Sequence, residues 1–329
     1  MTTNQSNCVS AEFGYYPKPI EIENERFSIK TLPNFQEIIE IVKNDPDVHK
    51  DWIYPGAQQN VDLNGVSSYR PYNVRVFGMH KTHVLTVYKN QNQEDLDFIV
   101  WCLSFFTGMR LTITDAGFLD ATPIKPNMLV DFILIGNTLE SVVELALDYL
   151  DLERNNHRVT KRVIAAIHSL FLAQYPQSLS FERFQYLYMS LDSCYKLIED
   201  KSNPKPHRGL SHAERVQWMC KEFDICIPDW AITKKKFKNN GSKSYEASEI
   251  SEIRNDAIHE AIFFDEPLGF SLYGGNQSGG KQINVILEMQ HLICRLIVCI
   301  LGRPDVDYVK SCINDRQYKA LDLLKKNKS

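Results

Sequence analysis

At 329 residues, with 43% hydrophobic and 24% charged residues, the chain is long enough for two cored domains and has the balance of a water-soluble globular protein. A formal net charge of -4 excludes a globally basic nucleic-acid binder, so any affinity for a polyanion must come from a local patch. The polar start, Met1 to Ser10, lacks the basic and apolar stretches of a secretion signal, and eight scattered Cys with no Cys-x-x-Cys fit reduced thiols; a cytoplasmic protein is expected.

The N-terminal part, residues 1–135, reads as a mixed α and β domain. Asn73 to Met79 and Thr82 to Lys89 are rich in Val, Tyr and Phe, and the short join between them, beside Gly78, predicts a hairpin. Glu94 to Thr107 places Leu96, Ile99, Val100, Leu103 and Phe106 at helical spacing, with Gly108 as a natural stop. Arg110 to Thr114 reads as a further strand, and Pro123 to Pro126 interrupts regular structure. No ligand for this domain is named by its residues.

Residues 136–329 turn helical, so the whole is expected to be α+β with an all-α C-terminal domain. Helices are predicted over Leu139 to Leu152, Lys161 to Gln174, Phe181 to Asp200, His212 to Phe223, Tyr245 to Phe264, Gln282 to Leu301 and Val306 to Lys325. Ser211 with Glu214 makes a capping-box pattern, Pro267 follows one helix, and Gly302 with Pro304 follows another. Polar residues at 284, 288, 290, 291 and 295 interrupt the most apolar stretch, Ile283 to Leu301, so no membrane span is expected.

Basic charge gathers at Lys234, Lys235, Lys236 and Lys238. Residues 201–245 hold ten Lys and Arg against four Asp and Glu. A flexible basic loop with one aromatic, Phe237, would hold a phosphate backbone and stack a base. Residues 246–266 carry one Arg against seven Asp and Glu, and that acidity offers the loop an internal counter-charge instead.

Within the acidic stretch runs Arg254-Asn255-Asp256-Ala257-Ile258-His259. Arg keeps its charge and forks onto phosphate oxygens, whereas His titrates near neutrality and can move a proton. At about 100° per residue, Ile250, Ile253, Ala257, Ala261 and Phe264 share an apolar face, while Ser248, Glu252, Asn255 and His259 line the opposite one. Arg162 and His168, a similar pair, flank an apolar run and read as packing. A straight helix sets Arg254 and His259 roughly 140° apart, so a bend or a second copy of the helix is needed to aim both at one phosphate. Ile258 and Ile262 beside the polar stripe would serve such a symmetric contact.

Arg254-Asn255 with His259 resembles the Arg-polar-x-x-x-His signature of HEPN domains, helical domains acting on nucleotides and RNA in bacterial defence and toxin systems. The resemblance covers about residues 178–302, with Phe181 to Asp192 similar to an early bundle helix and 212–216 and 251–255 to later ones. It implies a dimeric helical bundle that cuts RNA, tRNA or single-stranded, without metal or cofactor. His259 would act on the 2′-hydroxyl or the leaving oxygen, Arg254 would stabilise the phosphorane, and Asn255 would orient the pair. Products would carry a 2′,3′-cyclic phosphate and a 5′-hydroxyl, and the biological setting implied is phage defence or growth arrest. HEPN toxins silenced by a partner nucleotidyltransferase commonly have Tyr two residues after the His; here Ala261 stands there, which weighs against that kind of antitoxin. The other readings are an inactive HEPN-like module binding RNA or protein, and a subunit activated by a sensor partner.

Three further patterns carry less. Gly275 to Lys281 has P-loop spacing, but Gln282 replaces the required Ser or Thr and too little chain follows for the α/β core. His207, His212, Cys220 and Cys226 fit no zinc spacing, and His80 with His83 would point to opposite faces of a strand.

Overall fold

The computed structural model describes residues 8–70, 75–88, 92–136, 138–206, 209–237, 244–267 and 279–324. It is α+β, and it separates into two compact units, residues 1–129 with 137–152 and residues 130–136 with 153–329. The division interleaves: residues 130–136 go with the later part of the chain and 137–152 with the earlier.

The N-terminal unit is built on strands β1 (Cys8–Phe13), β2 (Glu21–Glu23) and β3 (Phe27–Thr31), helix α1 (Phe35–Lys43), and short strands β4 (Val48–His49), β5 (Trp52–Ile53), β6 (Gln58–Val61), β7 (Ser67–Arg70) and β8 (Val76–Phe77). Strand β9 (His83–Tyr88), helix α2 (Gln93–Thr107), strands β10 (Phe118–Leu119) and β11 (Thr122–Pro123) and helix α3 (Thr138–Leu152) complete it. The main sheet is antiparallel in the order β1-β9-β3-β2. β9 lies inside it, and its alternation buries His83, Leu85 and Val87. Asn92 caps α2 with a reciprocal box, and Gly108 ends it in the left-handed region at φ 64°. Phe98, Trp101, Cys102 and Phe105 are buried as well as the predicted stripe, so α2 is internal on all sides.

Two expectations fail here. The strands on either side of Gly78 form no hairpin: β8 pairs with β10, and β9 pairs with β1 and β3. Gly78 answers a different need, since a Cβ there would lie 2.4 Å from the Asp115 carbonyl oxygen. Residues 110–114 make only an isolated bridge, Thr112 to Gly14, and the Leu111 amide goes to Ser104 Oγ at 2.9 Å.

The assignment of α3 to this unit has a local cause. Arg26, beyond the β2 strand, donates to Glu144, Asp148 and Asp151, three carboxylates set four and three residues apart on one face of α3. Asn24 reaches Glu140 and Glu144 beside them.

His83 is fully buried among the rings of Phe13, Tyr16 and Phe35, with Nδ1 on Thr82 Oγ1 at 2.8 Å. Burial lowers its pKa to about 4, against smaller opposing effects of the Lys18 backbone and Glu21. The unfolded chain, with an ordinary imidazole, binds the proton first; stability is whole above about pH 6.5 and declines as pH falls toward 4. The expected loss is on the order of 3 kcal/mol, and His83→Phe should flatten it in urea titrations across that range. Equal slopes for the two proteins would remove His83 as the cause.

The C-terminal unit begins with strand β12 (Phe132–Leu134) and continues through helices α4 (His157–Leu172), α5 (Ser180–Lys201) and α6 (His212–Glu222). Strands β13 (Lys234–Phe237) and β14 (Ser244–Ala247), helix α7 (Glu249–Asn255), strands β15 (Ile262–Phe263) and β16 (Glu266–Pro267), helices α8 (Gly279–Ile300) and α9 (Asp307–Lys310) and strand β17 (Lys319–Leu321) follow. α4, α5 and α8 pack on one another around Ala166, Leu170, Leu187, Cys194, Leu292 and Leu296, with α6 against α5 and α7 against α6. Among the described residues no helix is long and apolar enough to cross a membrane.

The unit is not all-helical. The helix expected over 306–325 stops after four residues, and the chain then pairs β17 in parallel with β12. A buried polar cluster accounts for the stop. Arg295 of α8, 0% exposed, donates to Asp131 at 2.8 Å and to Ser311 Oγ at 2.9 Å, while Tyr308 donates to the other Asp131 oxygen. Satisfying a buried guanidinium needs these acceptors, and continued helix would carry Ser311 away from it.

Candidate functional site

Ser248 caps α7, accepting from the Ser251 amide, and Ile250 and Ile253 anchor the helix in the core. The helix expected to run from 245 to 264 is shorter: it starts at 249, and at 256–260 it widens into one π turn, with the Ala261 amide bonded to the Asp256 carbonyl. Ala261 then takes φ 56°, and Phe264 and Asp265, at φ 52° and 65°, form the two-residue turn between β15 and β16. Phe263 is buried and meets Phe184 of α5, ring centroids 5.5 Å apart. The chain therefore has to swing off the helix axis directly after the motif. Ala261 and Phe264 belong to this reversal and not to the apolar face of a helix.

The π turn resolves the 140° separation of a straight helix. Its wider turn, closed by a bond from the Ala261 amide to the Asp256 carbonyl, begins just after Arg254 and Asn255 and narrows that separation. Arg254 Nη1 lies 3.4 Å from His259 Nε2 and donates to Asn255 Oδ1 at 3.0 Å. Asn255 and His259 are exposed and Arg254 half-buried, its Nε–H left without a partner. One chain thus brings all three motif side chains together. Ile258 beside them is 50% exposed and Ile262 half-buried.

Sequence reasoning missed the residues behind Arg254. Tyr188 of α5 is hydrogen-bonded to Nδ1 of His212, the first residue of α6, with the rings edge to face at 5.4 Å. Burial, then the Asp192 carboxylate, raise the Tyr188 pKa, while Arg254 and Arg215 oppose the rise. Burial and then the Arg254 charge hold His212 below the ordinary histidine range, Arg215 adding to this and Asp192 countering it. Arg215 pairs with Asp192 at 3.2 Å and its Nε–H is also unpartnered. The Tyr188 phenol and the His212 imidazole thus meet where the charges of Arg254 and Arg215 are both felt. The predicted element boundaries placed Tyr188 and His212 on the right helices, but nothing local joins residues on separate helices.

The basic stretch departs from the flexible loop expected. Residues 234–237 are a ladder strand, with Lys235 opposite Glu246, and Lys236 is ion-paired with Glu252 of α7. Lys234 and Lys235 are exposed, and Lys238 lies outside the described residues. Acidic neighbours remain close by: burial first, then Glu260, Glu252 and Asp265, raise the pKa of Asp256. Arg162, of the rejected pair, is bonded to Asp200. Gly279 to Lys281 open α8, while residues 275–278 and His207 lie outside the described residues. Among the described residues no three His, Cys, Asp or Glu side chains gather as metal ligands would.

Comparison with protein-family models, with curated proteins and with solved structures finds no match.

Proposed function

We propose that the C-terminal unit is a HEPN-like endoribonuclease that cleaves RNA by internal transesterification, with Arg254, Asn255 and His259 as its reacting groups. The observation carrying this reading is the π turn that sets Arg254 Nη1 3.4 Å from His259 Nε2. A charge-holding fork beside a titratable ring suits a phosphodiester: the guanidinium takes the charge developing on the phosphorane oxygens, and the imidazole transfers the proton. Asn255 holds the guanidinium. The substrate proposed is tRNA or single-stranded RNA, in phage defence or a toxin-like stress response. The exposed Ile258 offers an apolar contact for a homodimer, and the N-terminal unit would select the target or respond to a sensor partner.

The test is incubation of wild type and His259→Ala with end-labelled tRNA and single-stranded RNA in EDTA. Cleavage by wild type alone, leaving 2′,3′-cyclic phosphates, is expected; RNA bound without product would turn the reading toward an inactive binding module.

Lys234 and Lys235 would add phosphate contacts. Changing either to Ser should lower the slope of log affinity against log salt by about 0.7 for single-stranded RNA, whereas Lys236→Ser, already paired with Glu252, should change it less. Unchanged slopes in filter binding would take the strand out of the interface.

A further inference from the structure

We infer that the cleft between α1 and the 78–81 segment is a ligand site of the N-terminal unit, and that it takes a small organic cation, an amine or guanidinium on a short apolar chain. The inference is independent of the nuclease reading.

The cleft has a volume of about 650 Å³, the size of a site for a small organic molecule. Its floor is apolar, made by the buried side chains of Ile38 and Val42 of α1 and Ile53 of β5. Its lining is otherwise acidic: Glu12 of β1, Asp45 after α1 and Asp115 stand against one cation, Lys81. That cation is already committed, because Lys81 Nζ donates to Asp115 at 2.8 Å and to the Ile113 carbonyl. Lys81 and Asp115 therefore answer each other, and Glu12 and Asp45 are left without an ion pair among the described residues. Glu12 is exposed and Asp45 half-buried. Asp45 Oδ1 accepts from the Asp47 amide at 2.8 Å, which fixes the carboxylate while its other oxygen has no partner among the described residues.

Two uncompensated carboxylates over an apolar floor select a ligand of matching polarity, with a charged N–H group for the carboxylates and a chain for the floor. An anion of the same shape meets repulsion. A bare metal ion makes no use of the floor, and no three His, Cys, Asp or Glu side chains gather as metal ligands among the described residues.

The walls are fixed to one another. The Leu32 amide bonds to the Thr82 carbonyl at 2.9 Å, the Thr82 amide to the Phe13 carbonyl at 3.0 Å, and the Tyr54 amide to the Asp47 carbonyl at 3.1 Å. Gly14 lies so close to the 80–82 chain that a Cβ there would be 2.7 Å from the His80 carbonyl oxygen. The segments carrying Glu12, Asp45 and Lys81 are thus pinned to their neighbours, and binding does not have to order them.

The experiment is a ligand-observed NMR titration of the full chain with hexylamine and hexylguanidinium, against hexanol and hexanoate as neutral and anionic probes of the same chain length, at fixed ionic strength. Each cation should bind at one site per chain, and hexanol and hexanoate about 10-fold more weakly or worse. Glu12→Gln and Asp45→Asn keep the size of each side chain, and the second keeps an oxygen for the Asp47 amide. Each should weaken hexylamine by about 3- to 10-fold, and the double variant by more, whereas Asp200→Asn, a carboxylate of the other unit, should change nothing. Equal affinity for hexylamine and hexanol, wild-type affinity in the double variant, or no binding of any probe overturns the assignment. If thermal melts show that the double variant does not fold, Glu12→Gln, at an exposed position of β1, decides alone, and wild-type affinity there overturns it equally.

Discussion

His259→Ala is expected to slow RNA cleavage by about 10²- to 10⁴-fold with little change in RNA affinity, because the imidazole moves a proton in the transition state and contributes little to ground-state binding. Arg254→Lys should be nearly as damaging. It keeps the charge, but a single ammonium cannot both hold Asn255 Oδ1 and fork onto phosphate oxygens as the guanidinium can. Single-turnover cleavage with protein in excess of both substrate and Kd separates these effects from binding. A His259→Ala protein cutting at the wild-type rate would end the proposed role of the motif.

Much of this site was legible in the residues. Arg254, Asn255 and His259 stood out by type and spacing, and the local signals that bound helices held: the Asn92 and Gly108 ends of α2 and the Ser211 box of α6 are where short-range chemistry places them. What was not legible depends on distant partners. The π turn leads into a reversal that sets Phe263 against Phe184, and α9 ends where Arg295 finds its Ser311 acceptor. β8 and β9 looked like one hairpin because each is apolar and a glycine lies between them, yet each finds its mate far along the chain. Tyr188 and His212 carry no mark of their own; their meeting is a product of packing.

The largest expected loss of stability lies at Asp131. Asp131→Ala would strand the buried Arg295 guanidinium, and breaking a buried pair in this way costs about 3–5 kcal/mol. For contrast, Asp200→Ala removes the exposed partner of Arg162 and should cost under about 1 kcal/mol. Urea unfolding compares the two directly. A loss at Asp131 no larger than that at Asp200 would mean that water or a rearranged acceptor replaces the carboxylate. Asp131→Asn with Arg295→Met, which removes both charges, should recover part of the loss.

The strap formed by residues 130–136 also sets an order of events on the ribosome. Asp131 meets partners 164 and 177 residues later, and β12 pairs with β17, the last strand described. A nascent chain can form α4 to α7, and with them the Arg254 and His259 pair, before the strap has anything to bind. Closing so long a loop adds little to the equilibrium cost but delays completion of the unit until β17 has been made. The strap is therefore the last part of the unit to lock, after the helices that carry Arg254 and His259.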